Sequence, residues 1–252
     1  CISRPRRFGK SMAANMLVAY YSRNCDSKEL FSSLAIADTL DFEDHLNKYN
    51  VIHLDMTRFA SKAPDVKGMI DRLELTLKQE LSELCADISY PDFYSSDEIL
   101  TLIYNKYRIP FVFIIDEWDC VFRIHKNDIE GQTAYLDYLK ILLKDRPYVA
   151  LDYATGILPV KKYGQHSALN MYCEYSIIDA EPFAEYMGFT ESEVQGLCRR
   201  FDMPFDEMKG WYNGYHVGDT SIYNPQSVVN ACLRKRFSNY WTKTETFEAL
   251  KI

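Results

Sequence analysis

Residues 111–117 read Phe-Val-Phe-Ile-Ile-Asp-Glu, five apolar residues in an unbroken run that ends in two carboxylates. A half-buried strand would alternate polar and apolar positions. An unbroken run preceded by Pro110 suits a strand covered on both faces, as in a parallel sheet with helices above and below. This run therefore restricts the chain more than any other stretch. Its neighbours agree. Residues 50–57 alternate and predict a strand, and a second strand is expected at 148–153, ending in Thr155-Gly156. Between them, Val66, Met69, Ile70, Leu73, Leu77, Leu81 and Leu84 recur at helical spacing and predict a helix over about 65–86. Ser95 and Glu98 have capping-box spacing and open another helix, and a further one is expected near 130–145. Strands and helices thus alternate to about residue 160, the signature of an α/β fold with a parallel sheet.

Beyond about residue 180 the pattern turns helical. Thr190 and Glu193 form a second capping box, and Asn224-Pro225 supplies an N-cap followed by proline at the first helical position, opening a helix over 225–236. The expected division is a core at 1–170 and a helical, lid-like region at 171–252, with a soft boundary at 165–180. The last residues, 246–252, read as a helix cut partway.

The chain begins Cys1-Ile2-Ser3-Arg4-Pro5-Arg6-Arg7-Phe8-Gly9-Lys10-Ser11. Gly-Lys-Ser is the working end of the phosphate-binding pattern G-x-x-x-x-G-K-[ST], with arginine at position 4 where the first glycine would stand. Gly9 lets the backbone turn tightly around a phosphate, Lys10 reaches the outer phosphates, and the Ser11 hydroxyl is a ligand for Mg²⁺. The triplet directly precedes an apolar helix predicted at 10–23. Its residues Met12, Ala13, Ala14, Met16, Leu17, Val18 and Ala19 leave little polar face, so burial is expected. A helix start offers free N–H groups to an anion, and Arg4, Arg6 and Arg7 make a local positive cluster. Of the strand that should lead into Arg4 only Cys1 and Ile2 are present. That strand is expected to lie centrally, with neighbours on both sides, and so short a piece is expected to hold the loop poorly and weaken nucleotide binding.

The acidic strand end pairs with this loop. Asp116 resembles the Walker B aspartate that holds the Mg²⁺ shell with Ser11, and Glu117 is placed to orient and deprotonate an attacking water. Ligands of open parallel sheets bind at the carboxyl ends of strands, where both motifs would sit. Thr155, at the end of the next strand, would either touch the γ-phosphate or the lytic water, or simply cap a turn with Gly156. Lys161 and Lys162 are candidates for charge stabilisation or plain solvated lysines. A full strand lies between the two motifs in sequence, which suits the ATPase branch of P-loop proteins better than simple GTPases.

The remaining features bound the functions available. With 252 residues, 47% hydrophobic and 26% charged, the chain has an ordinary globular balance. Its net charge of -7 argues against a general nucleic-acid surface. The basic clusters Arg199-Arg200 and Arg234-Lys235-Arg236 read as solvated helix faces. Seven scattered cysteines, with no C-x-x-C pair, point to reduced thiols in the cytoplasm rather than a zinc site. No apolar run is long enough for a membrane span. The five histidines show no ligand spacing.

Five motifs in order carry a family resemblance: Arg4–Ser11, Ile114–Asp119, Thr155–Lys162, Trp211–Tyr215 and Ile222–Ser227. Together they resemble the bacterial AAA-ATPase-like family, over nearly the whole chain. The resemblance implies a P-loop ATPase core of three layers (the ASCE/AAA type) with a lid-like region. It implies ATP and Mg²⁺ as ligands, with Arg4, Arg6, Arg7, Phe8, Gly9, Lys10 and Ser11 in the nucleotide loop. It implies Ser11 and Asp116 at the metal, and Lys10, Glu117 and Thr155 in hydrolysis. Members often carry a C-terminal PD-(D/E)XK nuclease-like domain, which here would lie beyond Ile252. Pro159 stands where many relatives have arginine. The Trp211–Tyr215 motif is read as packing, with a contact to the base or a partner as the alternative. A nucleotide-binding switch without turnover, or an interaction scaffold, are the competing functions.

Overall fold

The computed structural model describes residues 1–159, 171–177, 179–217 and 220–241. Its first half is a four-stranded parallel sheet in the order β1-β4-β3-β2. The elements run β1 (Ile2–Ser3), α1 (Lys10–Tyr21), two single-turn helices α2 (Lys28–Phe31) and α3 (Phe42–His45), β2 (Asn50–Asp55), α4 (Met56–Ala60), α5 (Val66–Leu84), α6 (Ser96–Tyr107), β3 (Phe111–Asp116), α7 (Cys120–Ile124), α8 (Ile129–Leu143) and β4 (Val149–Gly156). All six residues of β3 are buried, as the unbroken apolar run requires. Alternate residues of β3 face different layers. Val112 and Ile114 pack under α1 around Ala14, while Phe111, Phe113 and Ile115 join the larger core beneath α5, α6 and α8. The stripe Val66, Met69, Leu73, Leu77 and Leu81 is the buried face of α5. Both boxes predicted at Ser95–Glu98 and Thr190–Glu193 are formed.

The sheet order places β4 between the strand that leads into the loop and the strand that ends in the carboxylates. The strand inserted in sequence, β2, goes to the far edge instead. β1 is the edge strand of this order, not the central one the sequence suggests, and beyond it lies a single bridge to Tyr175. It pairs with β4 on one side, and on the other Ser3 N–H donates to Tyr175 O at 3.0 Å while Tyr175 N–H donates to Cys1 O at 2.9 Å.

Three further expectations need correction. Helix α1 is not enclosed: of its residues only Lys10, Ala14 and Tyr20 are buried, and Met12 is 71% exposed. The physical reason is that α1 rests on its sheet face through the small Ala14 with Leu17, Val18 and Tyr21 half-buried beside it, leaving Met12 and Met16 outward. Second, β2 stops at Asp55 rather than 57, because the Asp55 side chain accepts the Thr57 N–H at 3.0 Å and caps α4. Third, the region after 180 is not purely helical. A small antiparallel sheet, β5 (Phe189–Thr190), β6 (Tyr215–Val217) and β7 (Thr220–Tyr223) in the order β5-β7-β6, lies among α9 (Glu191–Arg200), α10 (Phe205–Tyr212) and α11 (Pro225–Arg234). The Asn224 side chain caps α11 by accepting the Ser227 N–H at 3.1 Å, as its sequence predicts. Among the described residues no helix is long and apolar enough to cross a membrane. Lys161, Lys162, His166 and the segment 246–252 lie outside the described residues.

The aromatic motif at 211–215 packs the second half together. Tyr212 is buried between α10 and residues 237–240, and its hydroxyl donates to Ser238 O at 2.9 Å. Tyr215 sets its ring edge-on to Phe8, centroids 4.9 Å apart.

Candidate functional site

The first loop is built by residues that turn inward for structural reasons. Arg4 N–H continues the β1–β4 ladder to Gly156 O at 3.1 Å. The Arg4 guanidinium is buried and donates to three backbone carbonyls, those of Ser3, Tyr175 and Phe183. Phe8 is buried among Ala180, Ala184 and Ile222. Both side chains were expected at the nucleotide, and both instead anchor the loop to the second half of the chain. Arginine in place of the first loop glycine is thus accommodated because its charge is spent on carbonyls. Gly9 has φ +85° and forms the N-cap of α1. An L-residue there would cost roughly 1–2 kcal/mol.

Arg6, Arg7, Gly9, Lys10, Ser11 and Glu117 line one cavity of about 720 Å³. Loop residues and a strand-end carboxylate more than a hundred positions away in sequence therefore share a wall. The Lys10 ammonium is buried. It donates to Arg4 O and Pro5 O, each at 3.1 Å, and lies 3.9 Å from Glu117 Oε1. Burial pushes the Lys10 pKa down, against the attraction of Glu117, Asp119 and Asp116. Burial raises the Glu117 carboxyl above its ordinary value, opposed by Lys10 and Arg123. Glu117 also has φ +55°, a left-handed conformation that a non-glycine residue adopts only where its surroundings impose it.

Asp116 and Thr155 sit behind this wall rather than on it. The buried Thr155 hydroxyl donates to Asp116 Oδ1. The Glu117 N–H is shared between Asp116 Oδ1 at 3.1 Å and Thr155 Oγ1 at 3.4 Å. Thr155 therefore orients Asp116; a direct contact with the γ-phosphate is not what its position offers. This contact is possible because β4 is the neighbour of β3. Gly156 follows under Trp118 and Asp119, and a Cβ there would fall 2.6 Å from Trp118 Nε1.

Four further residues line the cavity that sequence reasoning did not single out: Thr57, Arg123, Phe189 and Val229. Arg123 is the most consequential. Its Nε donates to Asp119 Oδ2 at 3.2 Å, and its Nη2 pairs with Glu117 Oε2. The spacing Asp119–Arg123, one helical turn on α7, was the available signal. Phe189, Pro225 and Val229 give the cavity lining an apolar part.

Comparison with known proteins agrees with this arrangement. Residues 1–165 match a family described as predicted AAA-ATPase. Across 253 aligned residues the chain is 25% identical to an "uncharacterized protein in vnfD 5'region" of Azotobacter chroococcum mcd 1. The match takes in 97% of this chain and 47% of that protein, so the chain spans about half of the relative's length. With the family match covering most of its length, including the loop, the acidic strand end and Thr155, the chain belongs to the AAA-ATPase-like family.

Proposed function

We propose that this chain binds ATP with Mg²⁺ in the cavity between the start of α1 and the end of β3, and hydrolyses it. The observation that carries the reading is the meeting of Gly9-Lys10-Ser11 with Glu117 on one cavity wall, Asp116 directly behind. Helix-start N–H groups and the Lys10 ammonium suit phosphate oxygens. The apolar surface of Phe189, Pro225 and Val229 suits a purine.

The donor chemistry here fits Mg²⁺. A serine hydroxyl and one carboxylate are hard oxygen ligands of the kind this ion takes alongside water and phosphate. Thr155 and the Glu117 N–H both fix Asp116 Oδ1, which sets the carboxylate's orientation. Ser11 and Asp116 would hold the ion, which neutralises charge on the phosphates. Glu117 takes the proton as the water oxygen bonds to the γ-phosphorus. The bond from that phosphorus to the bridging oxygen breaks, and its electron pair leaves with ADP. A pKa raised by burial makes Glu117 a better base than an ordinary carboxylate.

One observation favours a second reading, a nucleotide-binding switch with little turnover: Glu117 is held by Lys10 and Arg123 together. Steady-state phosphate release separates the two. Hydrolysis predicts measurable turnover with Mg²⁺ that Glu117→Gln lowers by at least about 100-fold while ATP stays bound. Binding with no turnover in the wild type would leave the switch. Because the chain spans about half of its relative, we further propose that it governs a neighbouring effector region, which the family resemblance makes nuclease-like.

A further inference from the structure

Arg123 stands on α7, on the wall of the cavity that also presents Lys10 and Ser11. Its guanidinium is held from behind by Asp119, through Nε to Oδ2 at 3.2 Å and Nη2 to Oδ1 at 3.5 Å. Asp119 is itself anchored by backbone contacts. It is completely buried, and its Oδ2 also accepts the N–H groups of Ile157 at 3.2 Å and Leu158 at 2.9 Å. The forward side of Nη2 meets Glu117 Oε2, and Lys10 Nζ lies 3.9 Å from Oε1 of the same carboxylate. Lys10 and Arg123 therefore flank one anion, separated by little more than the width of a carboxylate and its two contacts.

We propose that Arg123 is the arginine that stabilises the γ-phosphoryl group during hydrolysis, supplied by the same chain that binds the nucleotide and not by a neighbouring subunit. The proposal rests on the ATPase reading above. Lys10 is the residue whose position marks where the outer phosphates sit, and Arg123 is its counterpart across Glu117. During transfer, negative charge grows on the bridging oxygen and is spread over the γ-oxygens. A cation already fixed at that place stabilises it without reorganising at the moment of reaction. Asp119 keeps the guanidinium in position when Glu117 lets go. The same exchange frees a Glu117 oxygen for the attacking water, so arrival of the γ-phosphate both engages the arginine and releases the base. Arginine suits this double duty because its planar fork donates in two directions at once, to Asp119 and to the phosphoryl group; lysine does not.

The test uses the whole chain and three variants: Arg123→Gln, which can still donate to Asp119, Arg123→Lys, and Lys10→Ala. The expected result is that R123Q binds a non-hydrolysable ATP analogue within about threefold of wild type, while kcat falls by at least about 100-fold and R123K recovers little of it. Turnover per chain is unchanged on dilution. An equimolar mixture of R123Q, which binds nucleotide, with K10A, which still carries Arg123, stays as inactive as R123Q alone. Recovery of turnover in that mixture would place the arginine in trans and overturn the proposal. So would an R123Q protein that turns over as fast as wild type or faster, because Arg123 would then be only a restraint on Glu117. A wild type that neither binds nor hydrolyses ATP would bring down the ATPase reading together with this one. Normal hydrolysis with R123Q unaffected would remove the arginine alone.

Discussion

Asp119 is expected to be the structural hub of the acidic strand end, and replacing it with asparagine tests this. The carboxylate is fully buried and accepts from Ile157 N, Leu158 N and Arg123 Nε, with Arg123 Nη2 at 3.5 Å. Asparagine keeps one accepting oxygen, so the two backbone contacts survive as neutral bonds of roughly half the strength. Its other atom becomes a donor that faces the Arg123 guanidinium, and the negative charge that offsets this buried cation is gone. Weakening of the charge-assisted bonds alone corresponds to about 2–3 kcal/mol. In a chain of this size that lowers Tm by about 5–10 °C. Alanine removes every acceptor, strands two buried N–H groups and half-unpairs Arg123, for about 4 kcal/mol or more. Urea denaturation followed by circular dichroism measures both, with Asp137→Asn on the exposed side of α8 as the surface control, expected within about 0.5 kcal/mol of wild type. An Asp119→Asn protein as stable as that control would refute the reasoning, because the network would then carry no net free energy.

Two other perturbations probe different parts of the fold. Phe8→Ala empties the pocket formed with Ala180, Ala184, Ile222 and Tyr215; it should cost about 3–4 kcal/mol and weaken ATP binding by loosening the loop, and a loss under about 1 kcal/mol in urea would show that Phe8 is no anchor. Asp152 is half-buried beside Tyr172 with its Oδ1 shut off from solvent, and desolvation raises its carboxyl to about 7. Because the folded-state value exceeds the unfolded one, its contribution is full below about pH 4 and is lost as pH rises through about 7. Asp152→Asn should therefore gain stability relative to wild type as pH rises from about 4 to about 7, by about 4 kcal/mol in all and with no further change above that, and a pH-independent difference would contradict the assignment.

How far the sequence could be read follows from the range over which each signal acts. The apolar run 111–115 and the stripe 66–84 are local periodicities, and the structure buries the whole run and five residues of the stripe, leaving Ile70 half-buried and Leu84 exposed. The strands β5, β6 and β7 have two to four residues each, too short for a period to register. Helix α1 is apolar nearly all round, which reads as enclosure, yet Met12 and Met16 remain outward. Within the loop, spacing identified Gly9, Lys10 and Ser11 but not side-chain direction. Arg4 and Phe8 turn away from the cavity because the carbonyls of Tyr175 and Phe183 and the pocket beside Tyr215 come from residues about 170 to 210 positions later. Arg123 is one of 29 basic residues, and only the sheet order, which sets Ile157 and Leu158 beside Asp119, explains why it is held at the cavity.

The central claim is that the start of α1 and the end of β3 form one ATP site in which Lys10 meets the phosphates. Titration of Mg·ATP into the wild type and into Lys10→Ala, followed by calorimetry, tests it most directly. The wild type should bind one ATP per chain, and Lys10→Ala, checked to be folded by circular dichroism, should bind at least about 30-fold more weakly, a loss of about 2 kcal/mol. Equal affinity in the two proteins, or no binding by the wild type, would contradict the account.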